Sequence, residues 1–473
     1  MSNWIDKLGS FGLATAIITN KRRLSYKDLY ALIQQVADIF KFLRIRPFVN
    51  IGVLCHSKLN TLLSLFSIWE VCANVIILDR KLDGDKLSSF LEDFEIGFIV
   101  SDIEISLPKI NFSKKLREDL NLYITSFSEK LTWLQQQKCS LETHLISLTS
   151  GTTGTPKGVV LSSERVINNA FKVAKYTNMT QDDRGLITLP LNYCYGLSQS
   201  LAHLSVGASI YLQDKFLQPL EVFQIIQEHQ ITNFAAVSTF YNSIVGQLNS
   251  YYKFVNDITQ HFRFFMCAGG ALSYINISKI LNLFTTNVLF YNNYGQTEAA
   301  PRLSFFKYSK KIKKDCGIGS PLEGVDFRLV DKKDEACHLF YKTEDFMYGY
   351  YKDFYKKDVE WFDSGDIGEQ DKSGNWHIIG RADGMIKVNG RKVYFAYLKD
   401  AIIKRFPSIA HIKFKQNNEN GNEYICVKII SLTISKDQIL KLKNFIKGQI
   451  PSVPIKLELV KKPRYSVNGK YIL

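Results

Sequence analysis

The chain has little of what would send it out of the cell or into a bilayer. Its eight cysteines are scattered, with no Cys-x-x-Cys pair and no histidine cluster at zinc-ligand spacing, which excludes a disulfide framework and a small zinc-stapled fold. No stretch of 18 apolar residues occurs, and the opening MSNWIDKLGS lacks a basic region followed by an apolar core. A membrane span and a secretory leader are therefore not expected, and a reducing, cytoplasmic setting fits. Short-period repeats and low-complexity segments are absent too, which removes solenoids and disordered linkers from consideration.

What is present is ordinary globular material. The 473 residues are 46% apolar and 22% charged, enough for two to four domains or subdomains with a large core. A formal charge of +15 suits an anionic partner in principle. The lysines, however, are spread among Asn, Ile and Tyr, with only short clusters such as KYSKKIKKD (307–315) and KKPR (461–464). No RNA-binding signature interleaves aromatics with those clusters, so nucleic acid is not the expected partner.

Hydrophobic periodicity predicts an alternating α/β chain. In SYKDLYALIQQVADIFKFL, Ser25 and Asp28 stand at capping-box spacing, and Leu29, Leu32/Ile33, Val36, Ile39/Phe40 and Leu43 fall on one helical face. Strand-like NIGVLC, VIILD and GFIVSD then alternate with helical stretches at 59–72 and 85–93. This β-α-β-α-β rhythm implies a parallel sheet. It resumes after residue 185 with LITLP, ASIYL, NFAAV, FRFFMCA and NVLFYNN, separated by helices near Leu197, Glu221, Tyr241 and Ile275. Beyond residue 316 shorter strands and turns predict a β-rich subdomain. After Gly380 the chain reads as a small α+β unit, so the expected division is 1–381 and 382–473.

The strongest local signal is LISLTSGTTGTPKGVVLS (145–162), an apolar strand running into a loop of Ser, Thr and Gly that closes on Pro156, Lys157 and Gly158. Glycines let backbone N–H groups approach phosphate oxygens, hydroxyls add donors, and the lysine adds charge. It is not a Walker A loop, because Lys157 follows proline and precedes glycine. Further on, Tyr291-Asn292-Asn293-Tyr294-Gly295-Gln296-Thr297-Glu298 supplies the groups a nucleotide triphosphate needs: an aromatic plate, a hydroxyl and a metal-holding carboxylate. Asp366 in WFDSGD and Arg381 in GRADG are of the types that hold a ribose diol and bridge to phosphate.

These segments, over essentially the whole chain and in the same order, resemble the ANL superfamily of acyl-CoA synthetases, nonribosomal-peptide adenylation domains and beetle luciferases. The resemblance implies a large N-terminal domain of stacked α/β layers with a β-rich subdomain, and a small hinged C-terminal α+β domain. It implies ATP-dependent conversion of a carboxylic acid to an acyl-adenylate with Mg²⁺, and then acyl transfer to the thiol of coenzyme A or of a carrier protein's phosphopantetheine. Thr149, Ser150, Gly151, Thr152, Thr153, Gly154 and Lys157 would wrap the phosphates. Gly269, Gly270 and Ala271 would lie beside adenine, Tyr294 would stack on it, and Asn292 or Asn293 would meet its edge. Gly295 and Gln296 complete that nucleotide-binding run. Thr297 would touch the α-phosphate, Glu298 ligate the metal, Asp366 hold the ribose, and Arg381 the ribose or a phosphate. Lys470 would neutralise charge as the carboxylate attacks, Asp383 would be the hinge, and Gly390 would line the thiol tunnel.

The acid would sit near Tyr193, Cys194, Tyr195, Gly196 and Gly270. In relatives that activate α-amino acids an aspartate binds the ammonium; here Cys194 stands in its place, which disfavours an ordinary amino acid. A stand-alone amino-acid adenylation protein therefore stays as the alternative enzyme, and a non-catalytic nucleotide- or acyl-adenylate-binding protein as the alternative of another class. An acidic carrier protein is the macromolecular partner that the positive charge of Lys461 and Lys462 suits.

Overall fold

The computed structural model describes all residues except 1, 106, 108–109, 128–142, 150–156, 216, 247, 249–250, 252–254, 256–259, 332–336, 355–359, 389–390, 407, 410, 420–421, 432–433, 451–453, 461–463, 466–470 and 473. Two nine-stranded sheets form its body. At the centre of the first, Asn74–Ile77, Asn50–Leu54 and Ile96–Ser101 run parallel, with Asn50–Leu54 in the middle. Every residue of Asn50–Leu54 and Ile96–Ser101 is buried, the signature of parallel strands covered on both faces.

The second sheet holds Leu289–Gly295, Phe264–Ala268, Asn233–Val237, Arg184–Ile187 and Ser209–Leu212 as a parallel run in that order. These are the strands that periodicity predicts. The helices Cys194–Ser205, Pro219–Glu228, Ser238–Val245 and Tyr274–Asn282 occupy the predicted intervals. The helix Tyr26–Phe42 begins with the predicted capping box of Ser25 and Asp28 and buries Leu29, Ile33, Val36 and Phe40.

One apolar core joins the layers. Ile51, Val75 and Leu161 of the first sheet and Ile210, Val237 and Met266 of the second belong to a single cluster of buried side chains, to which the helices Lys58–Glu70, Ser163–Thr177 and Cys194–Ser205 contribute. Lys58–Glu70 is buried almost all round, as expected of a helix enclosed by other elements.

Three features go beyond the expected β-α-β alternation. The strands flanking the glycine-rich loop, His144–Thr149 and Lys157–Ser162, are antiparallel neighbours. The outer edge of the first sheet is an antiparallel pair, Leu122–Ser126 and Phe112–Arg117. Thr15–Ile18, near the start of the chain, pairs in parallel with Ser209–Leu212 of the second sheet.

A four-stranded antiparallel sheet follows, in the order Val325–Val330, His338–Thr343, Phe362–Gln370 and Trp376–Arg381. Beyond it, the helices Phe395–Arg405 and Lys436–Gln449 pack with the sheet of His411–Glu419, Asn422–Ile430 and Ile455–Val460 around Ile402, Phe406, Val427, Leu442 and Ile446. No helix among the described residues is long and apolar enough to cross a membrane.

Candidate active site

The strand Leu289–Gly295 turns back through a short 3-10 helix, Thr297–Ala299, into the antiparallel strand Arg302–Tyr308. The turn is tight. A Cβ at Gly295 would overlap the Pro301 carbonyl oxygen and lie 2.9 Å from its carbon, so only glycine fits there. This close return places Gln296, Thr297 and Glu298 in sequence, each facing a different wall.

Gln296 faces the antiparallel sheet. Its Nε2 donates to the Ser364 carbonyl at 2.7 Å and to Asp366 Oδ2 at 3.2 Å. Tyr294 donates its hydroxyl to the same Oδ2 at 2.6 Å, and Arg381 Nη1 donates to Oδ1 at 3.3 Å. The backbone N–H of Asp366 is held by Ser364 Oγ at 3.0 Å. Strand pairing explains the meeting of Asp366 and Arg381, which are direct cross-strand partners.

Burial pushes the Asp366 carboxyl above its ordinary value, against the pull of Tyr294, Arg381 and Gln296. Burial also pushes the Tyr294 phenol well up, and the adjoining carboxylate adds to this, so Tyr294 remains a neutral donor. A carboxylate has about four acceptor positions. Three are used here, and Arg381, whose side chain is 55% exposed, has room to swing away and release another. Acceptor positions for the hydroxyls of a ligand therefore lie on Oδ1.

Thr297 faces the second α/β layer, its hydroxyl 3.3 Å from Cys194 Sγ. Cys194 opens the helix Cys194–Ser205, whose N-cap is Tyr193. Burial pushes up the phenols of both Tyr193 and Tyr195. Gly269 has φ of +78°, and a Cβ there would overlap the Tyr193 hydroxyl; a Cβ on Gly270 would lie 2.6 Å from Ser238 Oγ. The exposed segment Gly269, Gly270 and Ala271 thus presents bare backbone beside Tyr193.

Glu298 faces the first layer. Its Oε1 accepts from the Tyr350 hydroxyl at 3.0 Å, and the Lys157 ammonium lies 5.0 Å from the centre of the Tyr350 ring. Among the described residues Oε2 accepts no hydrogen bond. Tyr350 arrives because the short strand Gly349–Tyr350 pairs with Lys157–Ser162 at the sheet edge. Thr149 stands at the other base of the glycine-rich loop, its hydroxyl 3.4 Å from the Lys157 carbonyl.

The structure therefore brings Tyr294, Gln296, Asp366 and Arg381 into one cluster, links Glu298 to Lys157 through Tyr350, and sets Thr297 against Cys194. Of the two asparagines, Asn293 is buried and accepts from the Tyr176 hydroxyl at 2.7 Å. Asn292 is half-buried and donates to the Gly317 carbonyl at 2.7 Å. Gly196 is buried inside the helix start. Asp383 lies in a 3-10 turn, Ala382–Gly384, directly after Arg381. Ser150, Gly151, Thr152, Thr153, Gly154, Gly390, Lys461, Lys462 and Lys470 lie outside the described residues.

Sequence reasoning missed Tyr350, Ser364 and Arg302. Ser364 stands in the quoted WFDSGD, two residues before Asp366, whose N–H its hydroxyl accepts; Tyr350 is joined to Glu298 only by strand pairing. Arg302 had a sequence signal, a charged residue opening the strand RLSFFKY four positions after Glu298.

Known proteins match this chain at low identity. The chain is 21% identical to bacitracin synthase 3 of Bacillus licheniformis over 96% of its own length, which is 7% of that protein. It is 23% identical to the 2-succinylbenzoate–CoA ligase of Bacillus velezensis, covering 84% of this chain and 80% of the relative. The solved O-succinylbenzoate coenzyme A synthetase from Bacillus subtilis in complex with AMP superposes with a TM-score of 0.77 at 18% identity, over 99% of this chain and 96% of the other. The fold is thereby the same. A family model described as AMP-binding enzyme matches residues 8–351, which contain the glycine-rich loop, the Tyr294–Glu298 run and the Tyr193–Gly196 segment. With that match over most of its length, and with the motif order set out above, the chain belongs to the AMP-binding enzyme family within the ANL superfamily.

Proposed function

We propose that the chain is an AMP-forming acid–thiol ligase: it joins a carboxylic acid to AMP from ATP, releases pyrophosphate, and passes the acyl group to a thiol. The observation that carries this reading is the three-way contact of Gln296, Thr297 and Glu298, which ties a ribose-type carboxylate cluster, an acid-pocket helix and the base of the phosphate loop to consecutive residues.

In the first step a carboxylate oxygen attacks the α-phosphorus and the bond to the β-phosphate oxygen breaks. Asp366 holds the ribose, Tyr294 presents its ring to the base with its hydroxyl pinned on Asp366, and Thr297 donates to the α-phosphate. The loop at Thr149, Ser150, Gly151, Thr152, Thr153 and Gly154, with Lys157, binds the departing phosphates, and Lys470 neutralises charge that grows in the transition state. Glu298 has the chemistry for Mg²⁺, which takes hard oxygen ligands and is commonly held by one or two carboxylates together with substrate phosphates. Bound there, the ion would screen phosphate charge.

In the second step the thiol sulfur attacks the acyl carbon and AMP leaves. We take 1–381 and 382–473 as two domains, with Asp383 the hinge that exchanges Lys470 for the tunnel at Gly390. The acceptor is coenzyme A or a carrier-protein phosphopantetheine. The net charge of +15 supports an acidic carrier docking at Lys461 and Lys462; unchanged carrier acylation after their charge reversal would remove that partner. Cys194, hydrogen-bonded to Thr297, brings no carboxylate for an α-ammonium, which favours a non-amino acid.

Carboxylate-dependent exchange of labelled pyrophosphate into ATP tests the whole reading. Exchange with at least one acid supports it; ATP binding without exchange across fatty, aryl, amino and dicarboxylic acids overturns it in favour of a non-catalytic binder.

A further inference from the structure

Behind the proposed acid pocket lies a cation with no counter-ion among the described residues. Arg302 is 2% exposed, and its Nε and Nη2 have no hydrogen-bond partner among the described residues. Its backbone is fixed on both sides by the buried Asn169, which accepts from Arg302 N at 2.9 Å and donates to its carbonyl at 3.0 Å. Asn169 also meets Asp345 at 3.1 Å, but that carboxylate is paired with Lys172 at 2.8 Å. The guanidinium instead lies against the Tyr195 ring, 5.1 Å from its centre.

Polar side chains on the Tyr195 helix and on the Arg302 strand are orphaned as well. Tyr195 Oη, Ser198 Oγ and both amide atoms of Gln199 are buried without partners among the described residues, and so is Ser304 Oγ. Tyr195, Ser198 and Gln199 stand at i, i+3 and i+4 on the helix Cys194–Ser205, one face of it. Ser304 is two residues along the strand from Arg302 and shares its face. Each unpaired buried polar group is costly, and a desolvated guanidinium more so; the Tyr195 ring offsets only part of this. Such a concentration has a physical use if an anion completes it. The same helix begins with Cys194, in contact with the Thr297 hydroxyl where the reacting carboxylate is proposed to lie.

Resting on the adenylation reading above, we propose that Arg302, with Tyr195 and Gln199, receives a second carboxylate on the acid being activated, so that the substrate is a dicarboxylic acid. One carboxylate reacts beside Thr297, and the other displaces the Tyr195 ring from the guanidinium and pairs with it. Bidentate pairing with carboxylate is the geometry for which arginine is suited.

The experiment compares aliphatic and aryl dicarboxylic acids of graded length with their monomethyl esters in pyrophosphate exchange, in the wild type, Arg302→Met and Arg302→Lys. The wild type is expected to prefer a diacid over its ester at least tenfold in kcat/KM. Arg302→Met is expected to lose at least tenfold with the diacid through KM, to keep or gain activity with the ester, and to unfold at the same or a higher temperature because an unpaired buried cation is gone. Arg302→Lys should retain part of the preference. Equal use of diacid and ester by the wild type, or a variant that loses stability and both substrates together, overturns the proposal and leaves Arg302 a structural residue. If no acid gives exchange in the wild type, the adenylation reading fails by itself. The anion site is then judged by thermal unfolding: a diacid that raises the wild-type midpoint but not that of Arg302→Met supports it, and no shift in either overturns it.

Discussion

Asp366→Asn separates function from stability, because the proposed ribose role and the burial of the carboxylate give the two effects opposite signs. The carboxylate accepts from Tyr294 at 2.6 Å, Gln296 at 3.2 Å and Arg381 at 3.3 Å, all of them donors. An amide of the same shape must turn N–H groups toward at least one donor and carries no charge. Hydrogen bonds to a charged group are worth about 1.5–3 kcal/mol each. Losing two at a ribose diol amounts to about 3–6 kcal/mol, or roughly 10²- to 10⁴-fold in affinity at about 1.4 kcal/mol per decade. Calorimetric titration of ATP is the assay.

Folding should respond differently. Burial raises the Asp366 pKa above its ordinary 3.8, so the folded chain binds that proton more tightly than the unfolded one. This contribution is fully present below 3.8 and is lost as pH rises through the folded value. Asparagine does not titrate. The thermal midpoint of Asp366→Asn should therefore gain on that of the wild type as pH rises from the acid range toward neutrality. ATP affinity within about threefold of wild type, against the roughly hundredfold minimum expected, or a midpoint difference that ignores pH, would refute the reasoning.

Other substitutions address the remaining walls of the site. Gly295→Ala drives a methyl into the Pro301 backbone and should cost about 3 kcal/mol or more, read as a lower urea midpoint; an unchanged midpoint would mean the turn can relax. Glu298→Gln should reduce exchange by about 10²-fold or more and blunt its dependence on Mg²⁺ concentration, since a positioned transition-state group is typically worth that much. Tyr350→Phe removes one hydrogen bond, about 1 kcal/mol, and should change the rate less than tenfold while leaving the Mg²⁺ dependence intact. Lys470→Ala should lower adenylation by about 10²-fold or more with little change in the Kd for ATP; equal rates would remove the lysine from the chemistry.

Much of this could be read before folding because the signals are local. The capping box at Ser25 and Asp28, the buried strand runs and the alternating helices all follow from periodicities of a few residues, and each appears where it was predicted. The motifs of the AMP-binding enzyme family were legible for the same reason: each is a short contiguous string whose residue types suit phosphate, metal or ribose. Sheet order was not. Asn50–Leu54 lies between strands that follow it, and Thr15–Ile18 crosses to the second sheet, outcomes of packing between elements far apart in the chain.

The sequence by itself determined the repertoire: an α/β body, a β-rich continuation, a small α+β end, and donors and acceptors fit for ATP. Only the tertiary structure decided the company those residues keep. Strand pairing set Asp366 opposite Arg381 and carried Tyr350 to Glu298, while the tight return at Gly295 buried Arg302 behind Tyr195. Residue type specifies what a side chain can bind, but the long-range contacts that fix its partner, its burial and its acidity are made only when the sheets close on one another.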